Sequence, residues 1–367
     1  MNKFRYKNIF LYSSLQFSGH IEEYFARHTY KLVVLVIMPR LNNKNNLIRV
    51  YEKGRLMSEK SVWSSGNIFL YYLAWLFDYW KILLTYFDKK EEFTVISFHP
   101  ISFFGSSLQK RLRRVKFAFW IGDYFPPVNF SLRLFESLKK HYHDRVKYRY
   151  YLSNRLNNLY NHTIVDTQQS RTVMWGLKPS KITHSAGKKT SILFIGLIKE
   201  SQGLELVFEF LRKHKNFKLN IIGNCDDGLY KKYLKIIHGN GIENLVFFPN
   251  RFYQDKELRD LAMSNQVGIA MYNTESNNAT YYTDPGKIKS YLEMGLPVVM
   301  SETSAIAPFI KKFHCGEVVD SSVEAVGNAF NRIRLNYDLY LRGVHNFNNY
   351  FYYEKYYRLS FRALETV

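Results

Sequence analysis

The residues best placed for chemistry lie in one stretch, Thr283-Asp284-Pro285-Gly286-Lys287-Ile288-Lys289-Ser290-Tyr291-Leu292-Glu293-Met294-Gly295-Leu296-Pro297-Val298-Val299-Met300. Asp284 is a good N-cap, and Pro285 suits the first helical position, where a missing N–H costs nothing. Ile288, Tyr291 and Leu292 recur at i, i+3 and i+4, which predicts a helix with one apolar face. Gly295 and Pro297 stop it, and Val298-Val299-Met300 reads as a short buried strand. With Gly286 at its second position, the first turn has no side-chain cover. Its free amides and positive dipole end suit a diphosphate, and Lys287 and Lys289 add charge beside it. The same residues also fit an ordinary capped helix with its lysines in solvent.

Other chemistry-bearing residues sit at strand ends. Gly196 follows Ile192-Leu193-Phe194-Ile195, and Gly223-Asn224 follows Leu219-Asn220-Ile221-Ile222. Glycine there lets a ligand approach the backbone at the C-terminal edge of a sheet. Asp123 follows a strand over 115–121, where α/β ligands bind, or it is a turn residue. His20 ends a polar loop, and His99 precedes Pro100 after a strand over 93–98. Lys110, Arg111, Arg113 and Arg114, with Lys116, form either a patch for anionic lipid or phosphate or a solvated helix end. The chain has no G-x-G-x-x-G, P-loop, H-E-x-x-H or Asp-x-Asp run, so no metal or cofactor is expected.

The elements that position these groups follow from periodicity. Asn8–Tyr12, a helix over Ile21–His28 and a strand over Leu32–Ile37 make a βαβ opening, which means a parallel sheet. Residues 42–59 read as loop or edge. Ile68–Phe87 has membrane-spanning length, but Asp78 and Lys81 interrupt it, at roughly 2.5–3.5 kcal/mol each at a bilayer centre. It reads as a core helix that could touch a membrane surface. Residues 130–159 read as helical, 163–166 as a strand and 179–189 as a linker. From residue 190 strands and helices alternate six times, the pattern of a doubly wound parallel sheet. Residues 346–365 read as a terminal helix.

The totals bound the class. With 367 residues, 46% of them hydrophobic, the chain is globular and long enough for two domains. Cys225 and Cys315 alone make neither a disulfide framework nor a zinc site, so a reducing cytosol is expected. Met1 precedes a polar, basic segment rather than an apolar signal core, which argues against export. The net charge of +21 is uneven: residues 1–185 hold 29 Lys+Arg against 12 Asp+Glu, and residues 186–367 hold 23 against 19. The basic half is expected to face something anionic, unless the charge is a general lysine bias. The 29 Tyr and 29 Phe supply core mass, and some could serve a membrane-facing or sugar-binding surface.

Taken in order, these phrases resemble the GT-B glycosyltransferases, a large family with many retaining, polysaccharide-building enzymes. The resemblance rests on Phe194-Ile195-Gly196 with Gly203-Leu204-Glu205-Leu206, on Leu219-Asn220-Ile221-Ile222-Gly223 and on Leu245-Val246-Phe247-Phe248-Pro249. Its clearest part is Asp284-Pro285-Gly286-Lys287-Ile288 through Tyr291-Leu292, Gly295 and Pro297-Val298-Val299. It covers residues 190–320; the first half matches only in its βα layout. It implies an α/β fold of two Rossmann-like domains facing across a cleft. Residues 1–185 would bind acceptor, 186–345 would bind the donor, and 346–367 would form a helix that could cross back. Where the family places a diphosphate-binding Arg and Lys, this chain has Leu197 and Gln202, so Lys199 and Lys287 are the substitutes. The family's two glutamates fall on Tyr282 and Ser290, and Ser290 could hydrogen-bond a ribose hydroxyl. A histidine common beside Asp123 is replaced by Gly122.

The resemblance implies metal-independent sugar transfer, with retention, from a nucleotide diphosphate sugar to a glycan or lipid-diphosphate-linked acceptor in cell-surface polysaccharide synthesis. Gly196, Lys199, Gly223, Asn224, Asp284, Pro285, Gly286, Lys287 and Ser290 would hold the donor. Asp123, His20 and His99 are the candidates to contact the reacting sugar. The protein would be cytoplasmic, with peripheral contact to an anionic inner membrane face through the basic patch. The alternatives are a catalytically inactive relative or basic binding protein in a glycan-assembly complex, and a nucleotide-sugar epimerase. Nucleic acid is disfavoured, because the basic residues are scattered and no RNA or DNA motif is present.

Overall fold

The computed structural model describes residues 4–13, 19–38, 45–88, 90–102, 114–180, 190–253, 255–272 and 279–365. The chain divides into two units, Met1–Gly176 with Tyr353–Val367, and Leu177–Tyr352. The crossing thus falls at Gly176, and the segment over 179–189 that reads as a linker lies almost wholly outside the described residues.

The first unit is built on an eight-stranded sheet in the order β4-β3-β2-β1-β5-β6-β7-β8. Its strands are β1 (Tyr6–Ser13), β2 (Thr29–Val36), β3 (Asn46–Glu52), β4 (Arg55–Val62), β5 (Phe93–Ser97), β6 (Val115–Ile121), β7 (Tyr148–Tyr151) and β8 (Ser170–Thr172). Helix α1 (Ile21–His28) makes the expected parallel crossover from β1 to β2. Further helices among the described residues here are α2 (Ile68–Tyr86), α3 (Phe130–His143) and α4 (Asn154–Asn161). Tyr71, Trp75, Tyr79, Ile82 and Leu83 of α2 pack on β1, β2, β3 and β5, so α2 is a core helix on that face. No helix among the described residues is long and apolar enough to cross a membrane.

Two expectations for this unit are corrected, and the reading of 42–59 as loop or edge resolves to edge. Residues 45–62 are an antiparallel hairpin, β3–β4, on the edge of the sheet. Lys53 (φ 51°) and Gly54 (φ 84°) form its two-residue turn, whose positive φ angles match strand twist. The aromatic run over 148–151 is strand β7, not helix, because Tyr150 and Tyr151 are buried in a parallel sheet between β6 and β8. Residues 163–166 form no strand: Asn157 takes both the N–H and the C=O of Val165, and β8 begins later.

The second unit has a six-stranded, all-parallel sheet in the order β11-β10-β9-β12-β13-β14. Its elements alternate as read from sequence: β9 (Ser191–Ile195), α5 (Leu204–Lys213), β10 (Lys218–Ile222), α6 (Asp227–Gly239), β11 (Val246–Phe247), α7 (Asp255–Ser264), β12 (Val267–Ala270), α8 (Gly286–Glu293), β13 (Val298–Ser301), α9 (Ala307–Phe313), β14 (Gly316–Val319) and α10 (Val323–Leu335). The terminal helix is corrected to two, α11 (Tyr337–Tyr350) in this unit and α12 (Tyr353–Ser360) in the first. The break at Phe351-Tyr352 is where the chain leaves the second unit; there Leu177 pairs with Tyr352.

Aromatic packing holds the returning segment. Phe361 is fully buried among Phe25, Trp120 and Tyr150, at ring distances of 5.3, 5.2 and 5.0 Å. The Tyr357 hydroxyl accepts from the Gly176 N–H (2.7 Å) and donates to the Gly19 carbonyl (2.6 Å). Phe361→Ala is expected to destabilise the first unit by about 3–5 kcal/mol, read as an earlier urea transition of Trp120 fluorescence.

Candidate functional site

In a doubly wound sheet the ligand site lies where the strand order reverses, at the carboxyl ends of the strands. In the second unit that point is the gap between β9 and β12. These two strands pair only through Ile192–Val267 and Leu193–Gly268, and their ends part. The hydroxyl of Tyr291, on α8, fills the gap: it accepts from the Ile195 N–H (2.8 Å) and donates to the Ile269 carbonyl (3.1 Å). The Tyr291 ring lies on Gly268, where an added Cβ would stand 2.3 Å from it. Tyr291 therefore fixes how high α8 stands over the sheet.

The turns beyond β9 and β10 also touch. Gly196 has φ 119°, and its N–H bonds the Ile222 carbonyl at 2.9 Å. A Cβ on Gly223 would fall 1.8 Å from the Gly196 carbonyl oxygen, so only glycine fits. Asn224 is exposed, and its carbonyl takes the Ile198 N–H.

Lys287 reaches across this edge from α8. Its Cε lies 3.3 Å from where a Gly196 Cβ would be, and its ammonium stands 3.8 Å from the centroid of Phe194 and 5.5 Å from that of Tyr272. Its one hydrogen bond goes to Oε1 of Gln202, at 2.5 Å. No carboxylate pairs with it among the described residues. The side chain is partly accessible, but its amine end is enclosed, and that burial pushes its pKa down to about 7. A cation set between two aromatic faces and an amide oxygen keeps its charge free for an anion.

Helix α8 starts one residue later than its sequence implies. Pro285 is the N-cap, without a side-chain cap bond, and Gly286 is the first helical residue. Gly286 is exposed, and nothing lies within 4 Å of where its Cβ would be. The cap expected of Asp284 is therefore corrected. Its carboxylate is buried and bonds the ammonium of Lys289 at 3.0 Å, while Lys289 lies 4.1 Å from the centroid of Phe351. Lys289, expected beside the ligand, is instead an anchor. Asn348 adds a bond to the Leu292 carbonyl (2.6 Å) and holds the other end of the helix. Ser290 donates to the Gly286 carbonyl (3.0 Å), which leaves its oxygen able only to accept. Lys199 is exposed at the start of a short turn over 200–202, next to the exposed Leu197.

In the first unit His99 and Asp123 both face Lys139, and His20 lies at the start of α1. His99 is buried, stands edge-on to Trp75 (4.6 Å) and takes the Ile101 N–H on Nδ1. Burial, with Lys139 adding to it, pushes its pKa down to about 3. Asp123 is exposed, and its carbonyl accepts from Lys139 (2.7 Å), which also pairs with Glu136 (2.6 Å). His20 is left-handed (φ 57°) at the start of α1, near Glu23. Arg114 is exposed; Lys110, Arg111 and Arg113 lie outside the described residues.

Sequence reasoning missed two parts of the site: Gln202 as the partner of Lys287, and the Tyr291 hydroxyl as the wedge. Gly268, a glycine inside a strand pattern, was the available signal of a close approach.

The family model described as "Glucosyltransferase 3-like, C-terminal domain" matches residues 242–360. No curated protein matches the sequence. Among solved structures, the chain is similar to a sucrose-phosphate synthase from Thermosynechococcus elongatus, with 12% identity over 97% of this chain and 100% of that one and a TM-score of 0.67. Anabaena HepE in complex with UDP is similar at 11% identity over 96% and 97%, with a TM-score of 0.67. The lipopolysaccharide outer core galactosyltransferase WaaB is similar at 15% identity over 98% and 100%, with a TM-score of 0.63. The fold is thus the GT-B type of glycosyltransferases.

Lys287 gives stability a defined pH dependence. An unfolded lysine titrates near 10.4, so between about pH 7 and 10 the folded chain binds fewer protons and stability rises with pH; below 7 the charge is fully present and its burial cost is complete. Lys287→Met removes that cost. Its stability advantage over the wild type is expected to widen by at least ~1 kcal/mol from pH 10 to pH 6, measured by urea unfolding.

Proposed function

We propose that this chain transfers a sugar from a nucleoside diphosphate sugar to a glycan or lipid-linked acceptor, without a metal, in building cell-surface polysaccharide. The observation that carries this reading is Lys287: an ammonium with no carboxylate partner among the described residues, beside an uncapped helix start and the Gly196 turn, at the switch point of a Rossmann-like sheet. The GT-B fold, and the similarity to HepE in complex with UDP and with UDP-glucose, support it.

In this reading the diphosphate lies over the first turn of α8. Lys287 and the amides of Gly286 and Lys287 meet the charge that develops as the bond from the anomeric carbon to the β-phosphoryl oxygen breaks. The acceptor hydroxyl oxygen forms the new bond to that carbon, and its proton passes to the departing diphosphate. Gln202 holds the ammonium in place until the anion arrives, and the anion keeps it protonated. Ser290 accepts a hydrogen bond from a ribose hydroxyl. We extend the reading to retention of configuration, on resemblance, and to work at the inner face of a membrane, on the basic first unit.

The test is thermal unfolding with UDP-, GDP-, ADP- and CDP-linked sugars, for the wild type and Lys287→Ala. At a hundredfold excess over its dissociation constant the right donor stabilises by roughly 2.7 kcal/mol, a clear midpoint shift that Lys287→Ala should lose. No shift with any donor overturns the reading. A shift with one donor class, but no hydrolysis or transfer with any acceptor, makes the chain an inactive relative.

A further inference from the structure

We propose that the outward face of α2 is a self-association surface, on which a second copy of this chain packs its own α2 antiparallel. One face of α2 is buried in the first unit. The opposite face of such a helix is ordinarily polar. Here Leu70, Leu73, Phe77, Trp80 and Leu84 stand exposed on it, at alternating spacings of three and four residues. That alternation is the seam of a helix pair. Phe77 is 70% exposed and Leu84 63%; Trp63, just beyond β4 beside the helix, is 59% exposed. At about 200 Å² per large side chain, these residues leave roughly 600 Å² of apolar surface open. That is the upper end for a monomer's largest patch, and it approaches the ~800 Å² each partner buries in a stable interface.

The face is also shaped for a helix. The row Leu73–Phe77 forms a ridge. A hollow of about 390 Å³ lies on one side of it, walled by Val62, Trp63 and Ala74 with Ser61, Asp78 and Lys81, and one of about 350 Å³ lies on the other, walled by Leu76 and Trp80. A ridge between two grooves is the relief that paired helices interdigitate. Charge favours a second copy over an anionic bilayer. The first unit holds 30 Lys+Arg against 14 Asp+Glu, yet Lys81 is the only exposed charge on α2 between Leu70 and Leu84. A helix lying on anionic lipid carries rows of Lys and Arg along its flanks, and among the described residues α2 itself carries no such row. A two-fold axis between Phe77 and Trp80 sets Phe77 of one copy against Trp80 of the other, and Leu73 against Leu84.

Sedimentation equilibrium of the full chain at micromolar concentrations tests this, with thermal unfolding as the check that each variant is folded. The wild type is expected to be dimeric and Phe77→Glu monomeric while still unfolding in one cooperative transition. Leu73→Glu and Leu84→Lys should each weaken the dimer at least about tenfold, and the double variant, which sets opposite charges face to face, should recover it. A monomeric wild type overturns the proposal; if it then pellets with phosphatidylglycerol vesicles and Phe77→Glu does not, the face belongs to a bilayer. A dimer that Phe77→Glu leaves intact overturns it equally, and failure of the double variant to recover overturns the antiparallel pairing.

Discussion

The hydroxyl of Tyr291 sits where two parallel strands part, and the geometry of the candidate site is measured from it. Two strand ends that separate leave an N–H and a C=O with no ladder partner, and buried backbone groups of that kind must be satisfied. One phenol answers both, on Ile195 and Ile269, and so ties α8 to the split. The position of Lys287, four residues before it and one turn up the same helix, then follows from helix geometry.

Two lysines on that helix show how environment separates structure from chemistry. Lys289 is buried and paired with Asp284, so its charge is spent on anchoring the helix. Lys287 has an amide oxygen and aromatic faces instead. An enclosed cation without a counter-charge is costly, and such costs concentrate at functional sites. Gln202, which the resemblance sets where a lysine is usual, is bonded by Lys287 from the neighbouring helix.

The first unit spends its aromatic residues differently. Trp120, Phe361, Tyr357 and Tyr24 knit the C-terminal segment to the sheet, and Tyr357 ties Gly19 to Gly176. Their abundance, open in sequence to a sugar-binding or membrane-facing reading, is here largely core. Among those that remain outside are Phe77 and Trp80 of the apolar row on α2, whose spacing was visible in the sequence but whose exposure was not.

The sequence by itself determined the alternation of the second unit, all six strand–helix pairs, because apolar periodicity and Gly or Pro punctuation are local signals. It also marked Gly196, Gly223 and the Pro285–Gly286 helix start, whose residue types answer to local backbone demands. It did not determine which side chains meet. Asp284 reads as a cap until Lys289 is found beside it, and nothing along the chain sets His99 between Trp75 and Phe135. The run over 148–151 became a strand because β6 and β8 offered it two edges, and only the tertiary structure decided that. Burial and partnership are properties of distant residues brought together, so they lie beyond any reading of neighbours along the chain.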